Sequence, residues 1–218
     1  MLSSTPHPQR TRIKICGLTR AEDAREAARL GADAIGLVFY PPSPRAIDPV
    51  RAARIRDALP PFVQPVALFV NPSEEDVAAV LALMPEIMLQ FHGCESPEFC
   101  ASFGRPYLKA LPMGQGSDPV NEAARHARAG GFLLDSHDAG GVGGTGQAFD
   151  WSAIPALDRP ILLAGGLRPD NVREAVQGVR PWAVDVSSGV ESAHGIKDPA
   201  RMAAFIHEVR HADAGVLL

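Results

Sequence analysis

The sequence predicts a single-domain α/β protein, an eight-stranded (β/α)8 barrel. Short apolar segments alternate with segments that have apolar residues at helical spacing, and eight such strand–helix units fit into the 218 residues. Repeated units of this kind require parallel strands with right-handed crossovers. The rival architecture is an open doubly wound sheet, which typically carries a Gly-x-Gly-x-x-Gly turn after its first strand. This chain has Cys16-Gly17-Leu18-Thr19 there instead, which favours the barrel.

Eight short runs of apolar or β-branched residues are the candidate strands, as expected for strands buried on both faces. They are Arg12–Cys16, Ala34–Phe39, Pro65–Val70, Ile87–Phe91, Tyr107–Leu111, Phe132–Asp135, Ile161–Ala164 and Ala183–Val186. We expect a disordered N-terminal tail over residues 1–11 and the barrel over residues 12–218.

The segments between the strands carry helix patterns and helix boundaries. Apolar residues recur at helical spacing in stretches such as 20–30, 50–59 and 74–83. Ser73 precedes a helix with Asp76 three residues on, and Asp48 and Asp198 each stand before a proline, as N-capping residues do. Gly31 follows the first helix where a C-cap glycine belongs.

Composition excludes several function classes. The formal net charge is −4 and the pI about 6.0, so the chain lacks the basic surface that a nucleic-acid backbone requires. Gly, Pro or a charged residue interrupts every apolar stretch well before the roughly 20 residues of a membrane span. The first residues have no apolar core of a signal peptide, and three cysteines are too few for a disulfide framework. We therefore expect a cytoplasmic protein.

Barrel enzymes carry their active sites at the carboxyl ends of the strands, which directs attention to Cys16 and Asp135. Cys16 ends the first strand and Asp135 the sixth, on opposite sides of one rim. A thiol and a carboxyl so placed would flank a small substrate as base and acid. Each residue also has a purely structural interpretation, the first as a buried cysteine and the second as a carboxylate that bonds a loop.

A cysteine base needs help to ionise. At an ordinary thiol pKa only about 3% of Cys16 would be thiolate at pH 7, so a positive charge nearby is expected. Lys14 lies two residues earlier, and strand alternation directs it into the barrel on the same side as Cys16. Asp185 on the eighth strand is its candidate partner, which predicts a buried Lys14–Asp185 ion pair.

Glycine-containing loops after strands seven and eight predict a phosphate site. Gly165 and Gly166 follow the seventh strand, and Ser188 and Gly189 open a short helical turn after the eighth. Backbone N–H groups and a helix N-terminus favour an anion, and these two loops are where barrels commonly bind phosphate. The alternative is that both are tight turns whose glycines serve only the backbone.

Two further segments are weaker candidates. The glycine-rich stretch 140–146 resembles a nucleotide-binding loop but has Gln147 where the lysine would be, so a lid, a wall of the phosphate pocket or a plain loop is expected. His92, Cys94 and Cys100 resemble a metal-binding set without a fourth ligand at zinc spacing. We predict no metal site.

Taken together, these motifs resemble the phosphoribosylanthranilate isomerase family. The resemblance runs in order from about Arg12 to the last helix, and no single piece of it is specific. The matching segments are 14–19, 43–45, 90–93, 134–135, 143–146 with 149–151, 163–167, 185–191 and 195–198. Phe91 stands where leucine is more usual in the family.

The resemblance implies an Amadori rearrangement in tryptophan biosynthesis, with a small phosphoribosyl substrate and without cofactor or metal. It implies Asp135 as the acid, Cys16 as the base and Arg45 as the partner of the anthranilate carboxylate. Gly165, Gly166, Ser188 and Gly189 would hold the phosphate, and His92 would line the anthranilate side. Family members are monomers or homodimers, and nothing in the sequence decides between these two states.

Two alternatives to this interpretation stay open. One is another phosphosugar-handling barrel enzyme, such as an indole-forming synthase or a pentose-phosphate epimerase. The synthase would need catalytic lysines at strand ends, and the epimerase would need metal-binding residues on several strands. The other is a non-catalytic binder of phosphoribosyl ligands, which would not need both Cys16 and Asp135.

Overall fold

Eight parallel strands close into a barrel in which each strand pairs with the next and β8 pairs with β1. The computed structural model describes residues 10–136 and 149–215. Its barrel strands are β1 (Arg12–Ile15), β2 (Ala34–Val38), β3 (Gln64–Phe69), β4 (Met88–Phe91), β5 (Tyr107–Pro112), β6 (Gly131–Asp135), β7 (Ile161–Leu163) and β8 (Ala183–Val186). The prediction of the barrel is confirmed, with every strand boundary within one residue of the expected position.

Helices on the outside of the barrel connect the strands. They are α1 (Ala21–Leu30), α2 (Pro49–Asp57), α3 (Glu74–Leu83), α4 (Pro97–Ser102), α5 (Pro119–Arg125), α6 (Val172–Val179) and α7 (Pro199–Gly215). A hairpin of β9 (Glu191–Ala193) and β10 (Ile196–Lys197) is inserted between β8 and α7. None of the helices within the described ranges is long and apolar enough to cross a membrane.

The connection between β6 and β7 differs from the expected helix. In its described part, 149–160, it forms a single 3-10 turn over Trp151–Ala153. Ile154 follows in an extended conformation with ψ of 119°, immediately before Pro155. The proline ring disfavours the helical conformation for the residue before it, so the turn cannot continue as an α-helix.

The predicted helix boundaries are confirmed by their hydrogen bonds. Ser73 and Asp76 form a reciprocal capping box at the start of α3. The Asp48 carboxylate accepts from the backbone N–H of Arg51 at α2, and Asp198 accepts from two N–H groups in the first turn of α7. Gly31 ends α1 in the left-handed conformation with φ of 103°.

Strand alternation sorts the apolar residues into two layers. Outward-facing side chains such as Ile15, Phe69 and Phe91 pack against the helices in the larger cluster. Inward-facing Val66, Leu108, Leu133 and Leu162 fill the barrel in a smaller one. The inner layer is therefore apolar towards the amino ends of β3, β5, β6 and β7, and polar residues occupy the opposite end.

The N-terminal segment meets the barrel earlier than the sequence suggested. A disordered tail is expected over residues 1–11, of which residues 1–9 lie outside the described part of the chain. Arg10 forms a two-point ion pair with Asp33 at 2.6 and 3.0 Å. Thr11 is buried, and its backbone N–H and hydroxyl both donate to Asp213 of α7.

Candidate active site

A cavity of about 440 Å³ opens at the carboxyl ends of the strands. It is lined by most of the residues that the sequence singled out, namely Cys16, Arg45, His92, Asp135, Gly165, Gly166 and Ser188. Gly189 is not among the lining residues, and a Cβ there would stand 2.0 Å from the carbonyl oxygen of Leu167. The glycine therefore lets two loops approach each other, whatever it contributes to a ligand.

Cys16 follows β1 on one side of the cavity, and its side chain is almost fully buried. Its backbone N–H donates to the carbonyl of Val186 at 2.8 Å, which extends the pairing of β1 and β8 by one residue. Gly36 of β2 makes room for the thiol, since a Cβ at that position would lie 2.5 Å from Sγ. The neighbouring strand thus holds the thiol in place on a second side.

The predicted Lys14–Asp185 ion pair is confirmed. The two residues are direct partners in the register of β1 and β8, and Nζ of Lys14 donates to Oδ1 of Asp185 at 2.9 Å. Both side chains are buried. Burial alone would lower the pKa of Lys14, but the Asp185 carboxylate and the Cys16 thiol raise it to about 12. The ion pair thus favours the charged form of Lys14 beside Cys16.

The surroundings of Cys16 have opposite effects on the pKa of its thiol. Burial raises the pKa of Cys16 above its ordinary value, and the Asp185 carboxylate adds to that rise. The charge and hydrogen bond of Lys14 lower this pKa, as does the charge of Lys197. The cations offset part of the cost of burial, and the pKa remains raised on balance.

On the other side of the cavity, Asp135 ends β6 beside the imidazole of His92. Oδ2 of Asp135 lies 3.1 Å from Nε2 of His92, and Oδ1 accepts from the backbone N–H of Ser136 at 2.8 Å. The carboxamide nitrogen of Gln90 lies 3.3 Å from Nδ1 of His92. With the carboxamide in this orientation its nitrogen donates to Nδ1, an assignment that leaves the hydrogen on Nε2, directed at Asp135.

The loops after β7 and β8 form the third wall. Gly165 and Gly166 adopt positive φ of 76° and 65°, which favours glycine, and a Cβ on Gly165 would meet the backbone of Ser136. Ser188 begins a 3-10 turn, Ser188–Val190. Within the described ranges the backbone N–H groups of Gly165, Gly166 and Ser188 have no hydrogen-bond acceptor. Such N–H groups can hold an anion.

Arg45, from the loop after β2, is held by a carboxylate of the chain itself. Its Nε and Nη2 donate to the two oxygens of Glu191 at 2.8 Å each, and both side chains are largely buried. Nζ of Lys197 donates to the same carboxylate at 2.9 Å. Burial would raise the pKa of Glu191, but Arg45 and Lys197 lower it below its ordinary value. The cluster carries two cations and one anion.

Comparison with known proteins shows the family. The sequence profile of N-(5'phosphoribosyl)anthranilate (PRA) isomerase matches residues 13–208. The chain belongs to this family. A relative named N-(5'-phosphoribosyl)anthranilate isomerase from Pseudomonas aeruginosa strain UCBPP-PA14 is 58% identical over 200 residues, covering 91% of this chain and 95% of the relative.

Solved structures of phosphoribosylanthranilate isomerases share the barrel. The one from Thermotoga maritima is 41% identical, with a TM-score of 0.82, and the match covers 92% of this chain and 99% of that one. Another was solved in complex with reduced 1-(o-carboxyphenylamino)-1-deoxyribulose 5-phosphate. It is 38% identical, with a TM-score of 0.79 and the same coverage. The protein is thus an enzyme of the isomerase class, as the resemblance implied, and the expectation of tryptophan biosynthesis is confirmed.

Cys94 and Cys100 do not line the cavity with His92. Cys94 is exposed, Cys100 is buried in the outer core, and His92 contacts Asp135 in the isomerase cavity. No group of three or more His, Cys, Asp or Glu side chains suited to a metal ion occurs among the described residues. The glycine-rich stretch 140–146 lies outside the described residues.

Several residues that contact the cavity's lining have no role assigned from the sequence. Gln90 contacts His92, Glu191 holds Arg45, and Lys197 holds Glu191. Ser187 and His194 also line the cavity. The position of Gln90 can be predicted from the sequence, because it lies two residues before His92 on β4 and must share its inward face. The positions of Glu191 and Lys197 cannot, since their contacts depend on how the β9–β10 hairpin folds back.

Proposed function

We propose that this enzyme converts N-(5′-phosphoribosyl)anthranilate into 1-(o-carboxyphenylamino)-1-deoxyribulose 5-phosphate by an Amadori rearrangement. The observation that carries the proposal is the shared cavity, which a thiol and a carboxyl line together with an arginine and a pair of glycine-containing loops. The substrate has a phosphate at one end, a carboxylate at the other and the reacting ribose carbons between them. Each of these parts has a matching group in the wall.

Asp135 is the proposed acid. It gives its proton to the ring oxygen of the ribose, which opens the ring and leaves a protonated Schiff base with the nitrogen of the anthranilate. This leaves Asp135 as a carboxylate, and the N–H of His92 then donates to it at Oδ2. Such a hydrogen bond is stronger to the charged form than to the acid. His92 thus favours the transfer of the proton away from Asp135.

Cys16 is the proposed base. As the thiolate, it removes the proton from C2′ of the Schiff base, and the resulting enolamine tautomerises to the ketone. The Lys14 ammonium stabilises the thiolate, because its positive charge lies next to Sγ and is itself fixed by Asp185. Proton transfers alone complete the reaction, so we propose neither a cofactor nor a metal.

The two anionic ends of the substrate are proposed to fix the ribose between acid and base. The N–H groups around Gly165, Gly166, Ser188 and Gly189 would hold the phosphate, and Arg45 would bind the anthranilate carboxylate. Anchoring both ends matters, because a displacement of about 1 Å at the reacting atoms costs roughly a hundredfold in rate. Local donors of this kind suit a protein whose net charge is −4.

The remaining expectations belong to the same proposal. We propose that the protein acts in the cytoplasm on a small molecule, without a nucleic-acid partner, and as a monomer or a homodimer. A related structure describes monomers of the dimeric phosphoribosylanthranilate isomerase from Thermotoga maritima. Analytical ultracentrifugation at micromolar concentration distinguishes the two states.

A fluorescence assay of turnover tests the proposed reaction. The substrate is generated enzymatically in the cuvette from anthranilate and phosphoribosyl pyrophosphate, with EDTA present, and the purified protein is then added. We expect fast conversion by the wild type and a loss of roughly a hundredfold or more in both Cys16→Ala and Asp135→Asn. Folded variants that turn over like the wild type would refute the assignment of base and acid.

The same assay separates the proposal from its alternatives. A folded wild type without turnover, but with measurable affinity for the reduced product analogue, would instead support a non-catalytic phosphoribosyl binder. Turnover that EDTA abolishes would contradict a mechanism made of proton transfers.

A further inference from the structure

Glu191 is a buried carboxylate that contacts Arg45 of the cavity wall and that the proposed mechanism does not use. It begins the β9–β10 hairpin and is 6% exposed. A carboxylate beside the arginine that is proposed to bind the substrate's carboxylate needs an explanation, because on its own it would repel the ligand. Its hydrogen bonds supply that explanation.

The two bonds from Arg45 to Glu191 determine which donors of the guanidinium are left over. Glu191 takes the hydrogen of Nε and one hydrogen of Nη2. A guanidinium has five N–H bonds in one plane, so both hydrogens of Nη1 and the second hydrogen of Nη2 remain. One hydrogen of each terminal nitrogen points along the end of the fork, where a second carboxylate can be bound at two points.

Glu191 is held too firmly to be displaced by a ligand. Nζ of Lys197, itself buried, donates to its Oε1 at 2.9 Å, and Arg201 of α7 donates to its backbone carbonyl. Removing the carboxylate from Arg45 would leave it buried with Lys197 as its remaining ion partner, which is costly. Glu191 therefore stays on Arg45 when the site is occupied.

The charges of the cluster are compatible with an anionic ligand. The charge of Arg45 balances that of Glu191, and Lys197 contributes further positive charge, although burial lowers its pKa. Lys197 also donates to the carbonyl of Ser187, next to the proposed phosphate loop, at 3.1 Å. The hairpin thereby connects the two ends of the cavity that are proposed to hold the substrate's anions.

We infer that Glu191 is a positioning residue for Arg45, which it turns so that the end of the guanidinium meets the carboxylate on the aromatic ring of the substrate. Glu191 thereby helps to select aromatic amines that carry an ortho carboxylate. The inference rests on the proposed function, since it assumes that Arg45 binds this carboxylate.

Isothermal titration with two ligands tests the inference without turnover. One is reduced 1-(o-carboxyphenylamino)-1-deoxyribulose 5-phosphate, and the other is its anilino counterpart without the carboxylate. The variants are Glu191→Gln, which removes the charge, and Glu191→Asp, which keeps the charge but draws it back by one methylene. Glu208→Gln is the matched control, because Glu208 pairs with Arg173 between α6 and α7, away from the cavity.

We expect both Glu191 variants to weaken binding of the carboxylated ligand about tenfold, the order of one charged hydrogen bond, and to change binding of its counterpart less than twofold. Glu208→Gln should change neither affinity. If the Glu191 variants weaken the binding of both ligands equally, or of neither, then Glu191 supports only the fold. If Glu191→Gln does not fold, the charge-conserving Glu191→Asp decides the question.

Arg45→Ala separates this inference from the proposed function. It should lower the affinity for the carboxylated ligand by about thirtyfold or more and the affinity for the other ligand much less. If Arg45→Ala does not distinguish the two ligands, the proposed role of Arg45 fails and the inference fails with it. If Arg45→Ala distinguishes them and the Glu191 variants do not, the inference alone fails.

Discussion

On the β1–β8 side of the cavity, Cys16 lies beside a buried ion pair, whereas on the β4–β6 side Asp135 lies beside a hydrogen-bonded imidazole. Lys14 and Asp185 pair at 2.9 Å within the barrel, and the charge of Lys14 lowers the pKa that burial has raised on Cys16. Asp135 instead contacts His92, whose ring is oriented by Gln90. Cys16 thus has a charged neighbour, and Asp135 has a hydrogen-bonded imidazole.

The difference agrees with the roles that we propose for the two groups, Cys16 as the base and Asp135 as the acid. A base must lose its proton before it acts, and a buried thiol does so only near a positive charge. An acid must hold its proton and then release it, which a fixed positive charge would prevent and a hydrogen-bond donor permits. A buried ion pair is costly to break, whereas the loss of a single hydrogen bond costs about 1 kcal/mol. The base side should therefore be the more important of the two for stability.

Removal of Lys14 is the largest expected effect. Lys14→Met leaves Asp185 buried without its ion partner and should lower the free energy of unfolding by about 3–5 kcal/mol. Urea unfolding followed by circular dichroism measures the loss. The double variant Lys14→Met with Asp185→Leu removes both charges and should recover most of the stability. An unchanged urea midpoint for Lys14→Met would contradict the structural importance of the pair.

The space beside Cys16 gives the second prediction. In Gly36→Ala the new Cβ would stand 2.5 Å from Sγ and 3.0 Å from Cα of Cys16, so the thiol must move. A displacement of about 1 Å should reduce turnover roughly a hundredfold. Gly178→Ala in α6 is the control, because no atom lies within 4 Å of its Cβ position, and it should leave turnover unchanged. Wild-type turnover in Gly36→Ala would show that the position of the thiol is not critical.

On the Asp135 side, a substitution should reduce turnover with little loss of stability. Gln90→Leu removes the donor to Nδ1 of His92 and should reduce turnover about tenfold while it changes the free energy of unfolding by about 1 kcal/mol. The cost is small because Oε1 of Gln90 has no hydrogen-bond partner among the described residues, so leucine removes an unsatisfied buried atom. Loss of stability as large as that of Lys14→Met would remove the contrast between the two sides.

Most of the barrel and the base side could be predicted from the sequence, because both depend on local patterns. The strands are contiguous apolar runs, and alternation along β1 directs Lys14 and Cys16 to one face. Asp185 was the obvious carboxylate on a strand that pairs with β1. These inferences need only the period of a strand and the closure of the barrel.

The rest depends on contacts between loops, which no local pattern encodes. Glu191 lies 146 positions from Arg45, and their pairing requires the β9–β10 hairpin to fold over the cavity. Gly189 was interpreted as a phosphate-binding glycine, yet its missing side chain also admits the carbonyl of Leu167. After β6 the chain forms a 3-10 turn that ends just before Ile154 and Pro155, and the regular series of strand–helix units does not predict it.

The pH dependence of alkylation tests the balance of charges around Cys16. Because burial raises the pKa of Cys16 more than Lys14 and Lys197 lower it, the thiol keeps its proton at neutral pH, and its reactivity must grow as the pH rises. We expect the iodoacetamide rate to be still rising at pH 9, the ordinary pKa of the thiol being 9.0. Mass spectrometry of tryptic peptides distinguishes Cys16 from Cys94 and Cys100.

The unfolded chain provides the control for this experiment. In urea Cys16 has lost both its burial and its neighbouring ions, so its profile should level off at lower pH than in the folded protein. The shape of each profile, rather than the absolute rate, is compared, because access to the cavity alone slows the folded protein at every pH. A folded profile that levels off at lower pH than the unfolded one would mean that the lysine charges outweigh burial. The Cys16 side would then carry a thiolate already at neutral pH.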